Sequence, residues 1–168
     1  VELLIRNPEL GLVYVNVMEI DGVGREINER SDGLSGWVGK DLLLFERPVV
    51  LGGGSGIIIP RTVFDDVAGF DSQMSTSADW DLYFRIGSRF PVDFVSEKLL
   101  RYRIHNSNMH GNISVMEHDM VLGFEKAFSS GAVAPRRECY GNLHKTLAGS
   151  YFNAGKYRDF VRHTVMSI

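Results

Sequence analysis

The sequence predicts a mixed α/β domain followed by a purely helical segment, and three observations carry this prediction. Residues 13–20 (VYVNVMEI) alternate around β-branched side chains and precede the turn-forming pair Asp21-Gly22, which predicts a strand and a hairpin. Short strand and helix patterns then alternate over residues 57–104. Only helical patterns follow residue 113. We therefore expect one domain over 1–112 and a helical tail over 113–168.

The elements predicted within the first domain follow one another closely. After the first strand we expect a return strand over 23–27, a polar loop over 31–36, a helix over 37–45, a buried strand over 57–59 and a helix over 61–68. Pro60 is suited to open the last of these helices, and Gly69 to close it as a left-handed cap.

A further helix is predicted over 75–89, with Trp80, Tyr83, Phe84 and Gly87 on one face. Thr76 and Asp79 are spaced like a capping box at its start. The remaining predictions are two strands over 92–95 and 99–104, a polar loop over 105–112, and helices over 113–129, 136–152 and 157–166.

The composition excludes several classes of protein. The chain has 168 residues, 44% of them hydrophobic, which is enough for an ordinary core. Its net charge of -3 provides no basic field, so nucleic acid is not an expected partner. The single cysteine, Cys139, forms no internal disulfide and belongs to no zinc-type spacing. No apolar run approaches the roughly 20 residues that span a bilayer. We therefore expect a soluble protein in a reducing, cytoplasmic compartment.

Two acidic residues and a glycine run are candidates for chemistry. Asp79 and Asp81 fall in the first predicted turn of their helix, where the helix dipole alone explains a carboxylate, although one of them also fits a general base. The glycine-rich stretch 52–56 (GGGSG) allows a ligand to approach the backbone closely, and it fits a tight structural turn equally well.

The stretch 101–105 (RYRIH) is the third candidate. Arg101 and Arg103 alternate along a predicted strand, so both point to one face, where they either meet phosphates or are solvated. His105 ends that strand, a place suited to a metal or phosphate contact, but also to an ordinary surface histidine.

The order of these segments resembles the second half of the family 2 glycosyltransferase domain, which has the GT-A fold. The resemblance covers about residues 10 to 110 and is carried by GSGIIIPRTVFDDVAGFDSQM followed by SADWDLYFRIGSRFPVDFVSEKLLRYRIHNSNM. It implies a small-residue strand, a Gly-Phe-Asp turn, an acidic pair opening a helix, and a Tyr-Arg-x-His segment. The fold expected from it is the second half of a mixed GT-A sheet with flanking helices, followed by an α-helical appendage.

The resemblance assigns roles to individual residues. Asp79 matches the base that deprotonates the acceptor hydroxyl in an inverting transfer. Gly54, Ser55 and Gly56 fall in the wall near the donor sugar, and Trp80, Arg101 and Arg103 are assigned to donor or acceptor binding. His105 falls where some members place a histidine near the metal, which would be Mg²⁺ or Mn²⁺. Ala78 departs from the family, because many members have Glu there.

The family pattern also limits what this chain is expected to do alone. Asp79-Trp80-Asp81 formally spells Asp-x-Asp, but the metal-binding pair of the family is expected upstream of Val1, together with the nucleotide pocket. Asp81 is therefore expected only to cap the helix or to be solvated. The implied partners are a nucleotide-sugar donor and a glycan or lipid-linked acceptor, with the parent protein at the cytoplasmic face of a membrane.

Two other functions fit parts of the sequence. The first is a non-catalytic interaction module on the same scaffold, in which the tail binds a partner through Phe124, Phe128, Tyr140, Tyr151 and Phe160, although core packing also explains such a stripe. The second is a nucleotidyltransferase of the same fold, which the Trp80 context and the Tyr-Arg-x-His segment disfavour. The sequence does not indicate the sugar, the nucleotide or the oligomeric state.

Overall fold

The computed structural model describes residues 1–31, 33–105 and 112–168. Four strands form one mixed sheet: β1 (Leu12–Ile20), β2 (Glu26–Arg30), β3 (Ile57–Ile58) and β4 (Val92–Arg103). The helices are α1 (Glu2–Arg6), α2 (Gly39–Leu44), α3 (Arg61–Asp66), α4 (Ala78–Gly87), α5 (Ile113–Ser129), α6 (Arg136–Asn153) and α7 (Tyr157–Met166). A 3-10 turn, Gly53–Ser55, lies before β3. The mixed α/β prediction with helices at the end is confirmed.

β1 is the central strand. It pairs in parallel with β4 along its whole length and antiparallel with β3 near its start and β2 near its end. Because β4 occupies one edge throughout, β2 and β3 share the other edge. Most β1 side chains on both faces are buried, as expected for a strand covered on two sides.

Four predicted strands differ from the observed ones. The return strand begins at Glu26 instead of residue 23, because the Asp21 carboxylate accepts hydrogen bonds from the backbone N–H groups of Val23 and Arg25 and so widens the turn. The strands predicted over 92–95 and 99–104 are one strand, β4, whose register shifts opposite residues 15–17 of β1. β3 has only two residues, and Ile58 is 45% exposed instead of buried.

The helical predictions hold better. The bounds predicted for α5 and α7 match, and α6 ends one residue later than predicted. The helix predicted over 61–68 ends at Asp66, and the one predicted over 75–89 is reduced to Ala78–Gly87. Among the described residues, no helix has both the length and the apolar content that a membrane span requires.

The hydrophobic core continues from the sheet into the tail. The ring of Trp80 in α4 stacks between Phe84, at 5.8 Å, and Phe124 of α5, at 5.2 Å between centroids. Gly123 makes this approach possible, because a Cβ there would lie 2.8 Å from Trp80 Cζ3. The boundary predicted at Asn112 coincides with the N-cap of α5, yet α5 and α6 share one buried cluster with α2 and α4.

Two helix-interior glycines should therefore respond oppositely to alanine. Gly149→Ala in α6, where a Cβ meets nothing within 4 Å, should raise the free energy of unfolding by about 0.5–1 kcal/mol through helix propensity. Gly123→Ala gains the same propensity but presses on Trp80, and overpacking costs about 1–3 kcal/mol, so we expect a net loss of about 1 kcal/mol. Urea denaturation of both variants checks this, and equal stabilisation by both would contradict the packing described here.

Candidate functional site

The Asp79 side chain and the glycine-rich loop are neighbours. Asp79 lies half-buried in the first turn of α4, and a Cβ built on Gly53 would lie 3.3 Å from its Oδ2 atom. Asp79 Oδ1 accepts a hydrogen bond of 2.7 Å from the Trp80 backbone N–H. The loop can come this close because Gly52 and Gly53 adopt φ values of 82° and 54°, which favour glycine.

The same loop also packs against the sheet. A Cβ on Gly52 would lie 2.7 Å from Leu100 Cδ2, and one on Gly56 would lie 3.1 Å from the same atom. Gly56 is buried, whereas Gly54 and Ser55 are exposed. The glycine run is therefore a tight structural turn at its two ends with an exposed backbone in its middle. The structural interpretation is confirmed, and ligand binding at this backbone stays a prediction.

A buried phenol lies one helical turn beyond Asp79. The Tyr83 hydroxyl has no hydrogen-bond partner among the described residues. Burial, followed by the negative charge of Asp79, raises the pKa of Tyr83 far above its usual range. Tyr83 is therefore neutral at all ordinary pH values, and it gives Asp79 a partly apolar environment.

Trp80 and Asp81 lie inside the protein. The Trp80 ring, assigned by resemblance to ligand binding, occupies the core between Phe84 and Phe124. The expectation of a solvated Asp81 is wrong, since the residue is buried and its Oδ2 accepts hydrogen bonds from Arg85 Nε at 2.9 Å and Nη2 at 2.6 Å. The cause is the four-residue spacing, which brings the Arg85 guanidinium over the carboxylate and compensates its charge.

The two arginines of β4 contact the β1–β2 turn. Arg101 Nη2 donates a hydrogen bond of 3.2 Å to the Gly24 carbonyl, and Arg103 Nη1 donates bonds of 2.9 and 3.0 Å to the carbonyls of Asp21 and Gly22. Both side chains are exposed and point to the same side, as the alternation predicted. Their contacts support the hairpin, and a role in phosphate binding stays a prediction.

His105 is exposed and directly follows β4, and residues 106–111 of the predicted polar loop lie outside the described residues. Within residues 1–31, 33–105 and 112–168, no three His, Cys, Asp or Glu side chains come together as metal ligands. His105 as a metal ligand therefore stays a prediction, without a surrounding ligand set in the described part of the chain.

Asp119 of α5 positions the chain that leads to the candidate site, and the sequence did not predict this role. Its side chain is 2% exposed, and its Oδ2 atom accepts from the backbone N–H groups of Ser75 at 2.9 Å, Thr76 at 2.7 Å and Ser77 at 3.2 Å. The Thr76 hydroxyl donates a fourth bond of 3.1 Å. These donors lie directly before α4, so Asp119 fixes the chain that leads into the turn bearing Asp79.

This contact replaces the predicted capping box. Thr76 bonds to Asp119 instead of the α4 backbone, and the N-cap Ser77 makes no side-chain hydrogen bond. The capping-box prediction is therefore wrong, because a carboxylate from another helix captures the same region. The available signal was an acidic residue, Asp119, beside Met120 on the otherwise apolar face of a predicted helix.

One groove of the described structure is separate from Asp79. It has a volume of about 1050 Å³ and lies between α2, the end of α3, α4 and the α5–α6 loop. Trp37, Lys40, Phe70, Arg85 and Val133 are among its lining residues. None of the residues assigned to ligand or metal binding from the sequence lines it.

Comparison with models of known protein families and with curated proteins finds no match for this chain. The resemblance to glycosyltransferases therefore rests on the order of the motifs alone and stays an expectation.

Asp119→Asn should lower the free energy of unfolding and change how that free energy falls at acidic pH. Burial raises the pKa of Asp119, but the backbone N–H groups of residues 75–77 and the contact with His118 outweigh it and lower the pKa below its ordinary 3.8. A depressed pKa means that the stabilisation is complete above pH 3.8 and is lost as pH falls through the lower, folded-state value. We expect Asp119→Asn to lose about 2 kcal/mol at pH 7 and to show a flatter decline below pH 4, measured by urea denaturation across pH.

Glu125→Gln, on the exposed side of the same helix, is the matched control and should stay within about 0.5 kcal/mol of the parent. Equal stabilities of the parent and Asp119→Asn at pH 7 would show that the four contacts to Asp119 contribute no net stability.

Proposed function

We propose that this chain forms the acceptor-side half of an inverting, nucleotide-sugar-dependent glycosyltransferase with the GT-A fold, and that Asp79 is its general base. The observation that supports the proposal is the closeness of Asp79 to Gly53, where an added Cβ would lie 3.3 Å from Asp79 Oδ2. It joins the two segments that the motif order assigns to one site. A half-buried carboxylate beside an exposed glycine-rich backbone has room for a sugar hydroxyl.

The chemistry assigned to Asp79 is one proton transfer coupled to one substitution. Its carboxylate takes the proton of the acceptor hydroxyl while that oxygen attacks the anomeric carbon of the donor sugar. The bond to the nucleotide diphosphate breaks, that group leaves with the electron pair, and the anomeric configuration inverts without a covalent intermediate. The start of α4 favours the ionised form of Asp79, which a base requires.

The proposal assigns the donor half of the site to residues upstream of Val1. The outer edge of β3 is unpaired among the described residues, and Ile58 on it is 45% exposed. This edge supports the proposal, because further strands of a larger sheet would pair there. The chain alone is then expected to transfer no sugar.

The proposal includes Mg²⁺ or Mn²⁺, which would offset the charge of the leaving diphosphate. Among the described residues, no three His, Cys, Asp or Glu side chains come together that could hold such an ion. We therefore assign no step of this chain to the metal.

Asp79→Asn tests the base directly. In the protein that includes the upstream half, the substitution should lower the rate of sugar transfer by about 10²–10⁴-fold, because an amide cannot accept the proton. The measurement is turnover of a nucleotide-sugar donor at saturating acceptor, together with urea denaturation to show an intact fold. A loss of less than a few-fold would remove Asp79 from the mechanism.

Gly53→Ala and Gly149→Ala together test the glycine loop. Gly149→Ala in α6, where a Cβ meets nothing within 4 Å, should transfer sugar normally, whereas Gly53→Ala should impair transfer. Gly53 has φ of 54°, and its Cβ would lie 3.3 Å from the Asp79 carboxylate. Equal activities of the two variants would show that the loop takes no part in sugar transfer. The role of Asp79 would not be affected by that result.

A second candidate function is an interaction module, and the exposed face of α7 favours it. Of the aromatic residues predicted for the interface, Phe124 and Tyr151 are buried, and Phe128, Tyr140 and Phe160 are half-buried. A different apolar set is exposed at the end of α6 and along α7, namely Phe152, Tyr157, Val161 and Val165. Exposed apolar patches of this kind mark interaction sites.

If this face mediates self-association, the double substitution Val161→Asp and Val165→Asp should reduce the mass of the intact chain in light scattering to that of a monomer. Two introduced charges cannot be buried in an apolar contact without a large desolvation cost. Glu97→Gln, on the exposed side of β4, is the control. A parent that is already monomeric at the highest concentration tested would count against this candidate.

A further inference from the structure

Helix α7 is anchored by an ionisable residue. His163 is its one fully buried side chain, at 0% exposure, and all residues of α7 are described. Tyr157, Val161 and Val165 on its outer side are 61%, 57% and 67% exposed. A surface helix ordinarily buries an apolar stripe and exposes polar residues. In α7 the buried residue is an imidazole, Phe160 is half-buried against the core, and those three apolar residues are exposed. The attachment of α7 to α6 therefore depends in part on what an imidazole can bond to.

The hydrogen bonds around His163 fix the positions of its protons. Arg162 Nη2 lies 2.9 Å from His163 Nε2, and a guanidinium can only donate, so Nε2 is the acceptor. The proton of neutral His163 is then on Nδ1, which lies 3.0 Å from Nδ1 of the buried His144 in α6. His144 Nδ1 must accept this bond, and its own proton is on Nε2. These tautomers are assigned from the network of partners.

Acidic and aromatic groups complete the surroundings of His163. From α5, Glu117 Oε2 lies 3.3 Å from His163 Nε2 and accepts a bond of 2.6 Å from the Tyr151 hydroxyl of α6. The Tyr151 ring stacks on the His163 ring at 5.3 Å. Burial opposes the charge on Glu117, but the Tyr151 hydroxyl, His163 and Arg162 together lower the pKa of this carboxyl.

The other charged groups near the pair lie at its rim. Arg162 of α7 also donates a hydrogen bond of 3.0 Å to Glu117 of α5. Within α7 it forms an ion pair with Asp159 at 3.4 Å. Lys156 lies over the Tyr151 ring at 5.8 Å from its centroid. The Tyr140 ring of α6 approaches His144 with its centroid at 6.5 Å. None of these groups offers an acceptor between the two Nδ1 atoms.

The pair can hold one additional proton but not two. A proton on His163 Nε2 breaks the bond from Arg162 but is accepted by Glu117 Oε2, 3.3 Å away, and the bond from His163 Nδ1 to His144 survives. A second proton, on His144 Nδ1, places two N–H donors 3.0 Å apart inside the protein with no acceptor between them. Burial, and then the charge on His163, lower the pKa of His144 below its ordinary 6.5.

We propose that the His144–His163 pair is an acid-sensitive lock that holds α7 on α6 and releases it when both imidazoles are protonated. A lowered pKa means that the contribution of His144 is complete above pH 6.5 and is lost as pH falls through its lower, folded-state value. On release, α7 separates from α6 together with its exposed apolar face. The contacts between α4 and α5 are kept. This device is independent of glycosyl transfer.

Hydrogen exchange of the intact chain, read by mass spectrometry at pH 7.5 and 5.0 and corrected for the intrinsic exchange rate, tests the lock. We expect protection over residues 157–166 to fall at least tenfold at pH 5.0, while protection over 78–87 and 113–129 is retained. His144→Asn keeps an acceptor oxygen near the position of Nδ1 but cannot be protonated, so it should show no such fall. His105→Gln, which removes an exposed histidine, should behave like the parent.

Three results would overturn the lock: unchanged protection of α7 at pH 5.0, loss of protection in α4 and α5 together with α7, or an acid response of His144→Asn equal to that of the parent. If His144→Asn does not fold, the midpoint of the parent's pH series decides instead. A midpoint above pH 6.5 would contradict the depressed His144 pKa on which the lock depends, and one below 6.5 with selective loss of α7 would support it.

Discussion

One buried carboxylate, that of Asp119, joins the two parts of this protein. It belongs to α5, yet its Oδ2 atom accepts hydrogen bonds from three backbone N–H groups and one hydroxyl of the chain just before α4. Hydrogen bonds to a charged acceptor each contribute about 1.5–3 kcal/mol when they replace solvent well, and an unpaired charge at this depth would be costly. The direction in which α4 starts, and with it the position of Asp79, therefore depends on the C-terminal helices.

The apolar contacts next to this carboxylate also position the start of α4 against α5. Trp80 follows Asp79 directly, and its ring lies against Gly123 and Phe124 of α5. The backbone of the candidate site is thus held by two contacts with α5. One is the stacking of Trp80 on Phe124, and the other is the set of hydrogen bonds to the buried Asp119 carboxylate. A tail that packs in this way is part of the frame of the site, although the change of pattern at residue 113 makes it look separable in the sequence.

The sequence predicts those elements whose side chains follow a regular period. β1, α5, α6 and α7 are found close to their expected bounds, because their buried faces are set by local spacing. Asp79 and the glycine run were also expected side by side, since both were assigned to one site. The loop over 106–111 lies outside what the structure describes.

The features that were missed are pairings between distant residues. Asp119 lies 42 to 44 residues after its donors, and the arginines of β4 meet a turn 77 to 82 residues before them. A capping rule that considers only four consecutive residues cannot anticipate a competitor from another helix. Burial of Asp81 was missed for a related reason. Its partner Arg85 is visible in the sequence, but the hydrogen bond from Arg85 Nη1 to the Val67 carbonyl, which holds the pair against the end of α3, is not.

The buried ionisable groups also set an order in which acid acts on the molecule. The contribution of His144 begins to fall below pH 6.5, whereas Asp119 keeps its charge to below pH 3.8 because the backbone donors favour the anion. Between these two values α7 is weakened while the entry to α4 is still held by Asp119. Loss of α7 would therefore leave the geometry around Asp79 and Gly53 unchanged, because neither of these residues depends on a contact with α7. The candidate site and the histidine pair are in this sense independent, and a change in one of them at mildly acidic pH need not alter the other.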